Sequence, residues 1–177
     1  MLNKSQKVVM LISQKDFRDE ELFDSKAIIE QAGIEVRIAA PEEKLAVGKL
    51  GAEIEPDLSI DDINVGRFEA IIFIGGPGAY DFIEDSAMHQ LASTFFNSGK
   101  IVAAICIAPA ILARAGLLRG RRATVHASGI NFLQEGGAIL LDQDVVVDKD
   151  IITANGPAAA SAFGQEIVRA LEKISSK

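Results

Sequence analysis

The sequence predicts an α/β fold in which a doubly wound, mainly parallel sheet is covered by helices on both faces. Continuous apolar runs of strand length recur along the chain, as they do in parallel strands buried on both faces. Segments with apolar residues at helical spacing follow these runs, and such alternation with right-handed crossovers produces a doubly wound sheet. The chain has 177 residues, so we expect one domain over 1–177.

The start of the chain is predicted to form a strand, a helix and a second strand. Residues 8–12 are an unbroken apolar run. A helix is expected over 20–32, with Asp19 as its N-cap and Gly33 just beyond its end. Residues 35–39 then form the second strand of the predicted sheet.

The middle of the chain is predicted to leave the sheet once and return to it. Residues 41–62 have a short, mixed pattern that indicates a small hairpin or irregular excursion. Residues 70–74 form the third buried strand, which runs into a glycine-rich turn at 75–78. A helix is expected over 86–97.

The last part of the chain supplies the remaining predicted elements. Residues 101–105 are the fourth buried strand, followed by a helix over 110–115. Two short strands are expected at 145–147 and 151–153, on either side of a turn. Apolar residues at helical spacing between Phe163 and Ile174 predict the final helix.

Composition and charge exclude several classes of protein. Hydrophobic residues make up 49% of the chain and charged residues 24%, which argues against intrinsic disorder. The net charge of −7 gives no attraction to nucleic acid or to anionic membranes, so neither is an expected partner. No apolar run approaches the ~20 residues of a membrane span, and the polar start lacks a signal-peptide core. We therefore expect a cytoplasmic protein.

The sequence also argues against a metal or a cofactor. One cysteine and two histidines are too few for a typical structural zinc site. The segment Gly76-Pro77-Gly78 resembles the start of a dinucleotide fingerprint, but the third glycine is missing. We expect no cofactor, no metal, and only a turn at this segment.

The candidate site begins at Cys106, which directly follows the fourth predicted strand. Ligands of doubly wound sheets bind beyond the carboxyl ends of the strands. Small residues stand two positions before and after the cysteine, at Ala104 and Ala108, as in the Gly-x-Ser-x-Gly elbow of hydrolases. The helix expected to start near Pro109 would favour a thiolate at its N-terminus. Cys106 is therefore a candidate nucleophile.

Four segments in this order resemble the ThiJ/PfpI (DJ-one) family. They are Phe17–Leu22, Phe73–Gly76, Ala103–Pro109 and Asn155–Pro157. The resemblance covers nearly the whole chain. It implies a flavodoxin-like sandwich of the class I glutamine amidotransferase-like type that assembles as a homodimer or a larger homo-oligomer.

The resemblance assigns three candidate catalytic side chains. The family's nucleophile falls on Cys106, and the acid that hydrogen-bonds its sulfur falls on Glu21. His126 matches a histidine that lies near the nucleophile in the DJ-one branch. A protonated Glu21 could donate a hydrogen bond to a thiolate, which is why we favour it over its acidic neighbours.

The resemblance also implies an oxyanion hole, and it shows where this chain departs from the family. The hole would consist of the backbone N–H groups of Gly75, Gly76 and Ile107. Ile107 stands where the PfpI protease branch has a histidine, so peptidase chemistry is disfavoured. A pocket arginine of the DJ-one branch aligns near Leu50, so an anion-binding pocket cannot be assumed.

The resemblance implies a cysteine-dependent enzyme that acts on reactive carbonyls, of a glyoxalase III-like or deglycase-like type with a role in stress. Its partners would be small carbonyl compounds or glycated adducts. A redox-sensing, stress-protective or holdase function based on oxidation of Cys106 is the main alternative. Hydratase or amidase chemistry on another small molecule would use the same elbow.

Overall fold

A seven-stranded sheet forms the centre of the molecule, in a computed structural model that describes residues 6–176. The strands of the protein are β1 (Lys7–Leu11), β2 (Lys15–Phe17), β3 (Glu35–Ala40), β4 (Ala46–Gly48), β5 (Glu53–Ile54), β6 (Leu58–Ser59), β7 (Ala70–Phe73), β8 (Ile101–Ile105), β9 (Arg122–Ala123), β10 (Ile139–Leu140), β11 (Val145–Asp148) and β12 (Ile151–Ala154). The helices are α1 (Asp19–Gln31), α2 (Ser86–Asn97), α3 (Pro109–Arg114), α4 (Ile130–Glu135) and α5 (Ala160–Ser175).

The strand order of the main sheet is β11-β12-β8-β7-β1-β3-β6. Adjacent strands of this sheet are parallel, with the exception of β11, which pairs antiparallel with β12. Chain connections run outward from β1 in both directions, as in a doubly wound sheet. The carboxyl ends of β1, β7 and β8 therefore lie side by side at one edge of the sheet.

Each face of the sheet carries its own apolar core, because successive strand residues point to opposite faces. On one face, Val9 and Leu11 of β1 pack with α2, α3 and α4. On the other face, Val8 and Met10 pack with α1 and α5. These strands are buried on both faces, which explains their continuous apolar runs. The structure confirms the predicted α/β fold class.

The predicted elements agree with the observed ones to within about two residues at their ends, which is the usual uncertainty. Two short strands were expected near the end of the chain, and they form the antiparallel pair β11 and β12. Three features were not predicted: strand β2, helix α4 and the small parallel pair β9–β10. They are short, and their residues are only partly apolar.

The predicted N-cap of α1 is wrong by one residue. Arg18 occupies the N-cap position, and Asp19 lies in the first helical turn. The Asp19 carboxylate instead accepts hydrogen bonds from the backbone N–H groups of Leu50 at 2.8 Å and Ala52 at 2.9 Å. The predicted excursion contains β4 and β5, which form a three-stranded sheet with β2. The two hydrogen bonds to Asp19 hold the β4–β5 hairpin against the start of α1. They also satisfy the buried carboxylate, which needs hydrogen-bond donors.

Within residues 6–176, the structure has no helix that is both long and apolar enough to cross a bilayer.

Candidate active site

Cys106 lies in a strained bend between β8 and α3. Its φ of +65° is in the left-handed region, which costs an L-residue roughly 1–2 kcal/mol. Its backbone N–H donates to Ala154 O at 2.9 Å, beyond the last paired residues of β8 and β12. Ala104 and Ala108 are fully buried on either side of the bend, where larger side chains would not fit. Backbone strain of this kind concentrates at functional sites.

Glu21 reaches the bend from the first turn of α1, after β1. It is fully buried, and its Oε2 accepts a hydrogen bond from Gly75 N–H at 2.9 Å. Its Oε2 and the Cβ of Cys106 both lie against Gly75, so the two side chains are neighbours. Within residues 6–176, Oε1 of Glu21 lacks a hydrogen-bond partner. Burial raises the pKa of Glu21 to about 7, against the opposing hydrogen bonds from Cys106 and Gly75. The carboxyl group is therefore about half protonated near pH 7.

Gly75 and Gly76 bring backbone against the cysteine. A Cβ on Gly75 would lie 2.6 Å from both Cys106 Cβ and Glu21 Oε2, so no side chain fits there. Gly76 has φ +101°, a conformation that favours glycine. Hydrogen bonds from the backbone N–H groups of Gly76 and Ile107 act to lower the pKa of the thiol, so both groups face the sulfur. The site thus places two backbone donors and one carboxyl group around Sγ.

The charge of the thiol depends on the proton of Glu21. Burial and the negative charge of Glu21 raise the pKa of Cys106 to about 12. The expectation that a helix N-terminus alone yields a thiolate is not met, because burial and Glu21 outweigh the backbone N–H groups that favour the thiolate. A proton on Glu21 removes the repulsion and makes the carboxyl group a donor to sulfur. The two groups therefore share one negative charge as a coupled pair.

The buried carboxyl group predicts a pH-dependent stability. Glu21 ionises near pH 4.3 in the unfolded chain and near 7 in the folded protein. Its contribution to stability is therefore complete below about pH 4.3 and is lost as the pH rises to about 7. Relative to Glu21→Gln, wild type should lose about 3 kcal/mol across this range. Urea denaturation of both proteins at pH 4.5, 6 and 8 measures the difference, and a pH-independent difference would contradict the raised pKa.

His126 lies next to Cys106 through its backbone. Its N–H donates to Cys106 O at 2.8 Å. Its exposed ring is engaged locally, since Nδ1 lies 2.9 Å from Ser128 Oγ and accepts from Ser128 N–H at 3.3 Å. The side chain thus caps the turn over Ala127–Gly129. These contacts show that the His126 ring stabilises the local turn. A catalytic role of His126 stays a prediction.

The prediction from sequence missed Arg18, whose backbone lies against the glycine pair of the site. Its backbone N–H donates to Gly75 O at 3.0 Å, and its side chain is 33% exposed. The sequence did contain a signal for Arg18, because this cation directly precedes the helix that carries Glu21. Within residues 6–176, no group of three or more His, Cys, Asp or Glu side chains could hold a metal ion.

The side chain of Ile107 is buried in the apolar core, so only its backbone N–H faces the site. Because Ile107 stands where the protease branch has a histidine, no imidazole directly follows Cys106. Leu50 is 62% exposed at the tip of the hairpin that Asp19 holds. It presents an apolar side chain at the position where the resemblance had implied an arginine.

Residues 6–170 match the DJ-1/PfpI family. Protein/nucleic acid deglycase 2 of Escherichia coli is 35% identical over 170 residues, covering 94% of this chain and 98% of that protein. Glutathione-independent glyoxalase DJR-1.2 of Caenorhabditis elegans is 30% identical over 164 residues, covering 93% and 88%. The crystal structure of a ThiJ/PfpI domain protein from Brachyspira murdochii has a TM-score of 0.94 at 32% identity, covering 97% and 99%. The chain therefore belongs to the DJ-1/PfpI family.

Proposed function

We propose that this protein is a cysteine-dependent enzyme that converts reactive α-oxoaldehydes such as methylglyoxal to hydroxy acids, and that it acts on early glycation adducts in the same site. The observation that carries the proposal is that Cys106 lies on a strained bend, next to the buried carboxyl group of Glu21. The names of the E. coli deglycase and the C. elegans glyoxalase support the substrate class.

The first step starts from the state of the coupled pair in which Glu21 holds the proton, and the Cys106 thiolate adds to the aldehyde carbon C1 of methylglyoxal. A carbon–sulfur bond forms, and the former carbonyl oxygen takes up negative charge and then a proton from Glu21. The N–H groups of Gly76 and Ile107, which already face the sulfur, would stabilise that oxygen. The product of this step is a hemithioacetal, and Glu21 is left as a carboxylate.

The second step moves a proton from C1 to C2. The Glu21 carboxylate removes the C1 proton and then protonates C2, and the C1 hydroxyl loses its proton as the C2 oxygen gains one, so the ketone becomes an alcohol and C1 becomes a thioester. Water then cleaves the thioester, which releases lactate and the free thiol. C1 is oxidised by the same two electrons that reduce C2, so the step needs no external oxidant or reductant. A pKa of about 7 suits a group that must both give and take a proton.

The test is product analysis by NMR in D₂O. Protein incubated with methylglyoxal in phosphate buffer should form lactate with deuterium at C2, because a proton held by Glu21 exchanges with solvent. Protein whose Cys106 was first blocked with iodoacetamide is the control. Equal lactate formation by blocked and unblocked protein would overturn the proposal. Lactate with protium at C2 would show that the proton reaches C2 without exchange with solvent.

We assign the proton transfers to Glu21 and not to His126, because the buried Glu21 carboxyl group lies next to Cys106 whereas the exposed His126 ring binds Ser128. The redox-sensing alternative and the hydratase or amidase alternative stay predictions from the sequence. Each of these alternatives would use the same Cys106 bend.

A further inference from the structure

We propose that Arg18 binds a carboxylate of the substrate, so that the enzyme prefers carbonyl compounds and adducts with a carboxylate a few bonds from the reacting carbon. The substrate class rests on the proposed function. The anion-binding role of Arg18 does not, because it can be measured without turnover.

Arg18 is held at the site by its backbone. Its N–H donates to Gly75 O at 3.0 Å, and Gly75 is in direct contact with Cys106 and Glu21. A Cβ on Gly76 would lie 2.5 Å from Arg18 N, so the glycine loop and the Arg18 backbone are packed together. The side chain of Arg18 is one-third exposed, so a ligand in solution can reach it.

The charge of Arg18 acts on the reacting groups. Among the effects on the pKa of Glu21, attraction to Arg18 is one that lowers it, although burial is the largest and raises it. The pKa of Arg18 is itself raised, mainly by its hydrogen bond to Glu20 and further by Glu21 and Cys106. Arg18 is therefore a cation close enough to stabilise negative charge at the sulfur.

The ion pair between Arg18 and Glu20 leaves guanidinium N–H groups free to bind a second anion. Glu20 accepts from Arg18 Nε at 2.8 Å and from Nη2 at 3.1 Å, which uses two of the five guanidinium N–H bonds and leaves three. Both side chains are partly exposed, and ion pairs of this kind are weak and exchangeable. A substrate carboxylate can bind beside Glu20 or replace it, in the bidentate geometry that arginine favours.

This chemistry distinguishes between adducts. An adduct on the α-amino group of a free amino acid carries a carboxylate on the adjoining carbon, whereas an adduct on a lysine side chain does not. Among small dicarbonyls, 4,5-dioxopentanoate carries a carboxylate and its methyl ester does not, although both have the same α-oxoaldehyde group. Arg18 should favour the charged member of each pair.

The first test compares two alkylating reagents that differ in charge. Iodoacetate and iodoacetamide attack the same sulfur, so their rate ratio cancels any change in the thiol pKa. Arg18→Leu should lower the iodoacetate-to-iodoacetamide ratio at Cys106 about 5- to 10-fold, Arg18→Lys should lower it less, and Glu20→Gln should raise it. Arg67→Leu is the matched control, because this exposed arginine precedes β7 at the opposite end of the sheet.

The outcomes separate the inference from the proposed function. Equal ratios in Arg18→Leu and Arg67→Leu would overturn the anion-binding role. The second test is kcat/KM for 4,5-dioxopentanoate relative to its methyl ester, which Arg18→Leu should lower about 10-fold. An unchanged preference alongside a changed alkylation ratio would overturn substrate selection by Arg18. If wild type turns over neither compound, the proposed function fails, and the alkylation ratio still decides whether Arg18 binds anions.

Discussion

Cys106→Ser is expected to reduce lactate formation from methylglyoxal at least about 1,000-fold while the protein remains folded. A serine hydroxyl is a far weaker nucleophile than a thiolate, and a carboxylate whose conjugate acid has a pKa of about 7 does not ionise it appreciably. The measurement is the initial rate of lactate formation by both proteins under identical conditions. A rate in Cys106→Ser within a few-fold of wild type would eliminate covalent thiol catalysis.

Two further variants separate the loss of the nucleophile from damage to the fold. Cys106→Ala removes the sulfur and keeps an L-residue at φ +65°, whereas Cys106→Gly removes the sulfur and relieves the strain. Both should be inactive, and the glycine variant should be more stable than the alanine variant by about 1 kcal/mol. Thermal unfolding of the pair measures this difference. A glycine variant that is no more stable would mean that the bend is not strained.

Replacement of Glu21 should separate its role as a hydrogen-bond donor to the sulfur from its role as the base that accepts the C1 proton. Glu21→Gln keeps a donor toward the sulfur and an acceptor for Gly75 N–H, whereas Glu21→Leu keeps neither. We expect iodoacetamide to alkylate Cys106 in Glu21→Gln within about 10-fold of the wild-type rate, and in Glu21→Leu about 10- to 100-fold more slowly. Neither side chain can accept the C1 proton, so both variants should lose at least about 100-fold in lactate formation.

The pattern of these rates distinguishes a donor from a base. If Glu21 served the thiol as a base, both variants would be alkylated equally slowly, because neither side chain accepts a proton. If alkylation and turnover fell in parallel in Glu21→Gln, the carboxyl group would have no separate proton-transfer role. Unfolding of each variant in urea checks that Glu21→Leu, which leaves Gly75 N–H without its acceptor, is still folded at the assay temperature.

Much of the fold could be predicted because the strands are buried on both faces. A strand such as Val8–Ile12 must be continuously apolar in that environment, and such a run is visible in the sequence. The short elements could not be predicted in the same way. Strand β2 reads Lys15-Asp16-Phe17, and the contacts that hold it come from β4, a partner about 30 residues away in the chain.

The candidate site could be predicted in part. Cys106 was identified from small neighbours and its place after a strand, and the observed φ of +65° agrees with an elbow. The N-cap assignment of Asp19 was wrong because the carboxylate is used by the hairpin at Leu50 and Ala52, which no local pattern reveals. The charge of the thiol was also misjudged, since a helix start near Pro109 can be read from sequence but the burial of Cys106 and of Glu21 cannot.

The sequence by itself determined the strand–helix alternation and the bend at Cys106, because both depend on residues adjacent in the chain: apolar runs, helical spacing and small side chains beside the cysteine. Only the tertiary structure decided the protonation of Glu21, the local role of the His126 ring and the place of Arg18. These properties depend on burial and on contacts between distant segments, such as Gly75 with Glu21 and with Arg18. Desolvation and charge act through space, so the order of residues along the chain does not specify them.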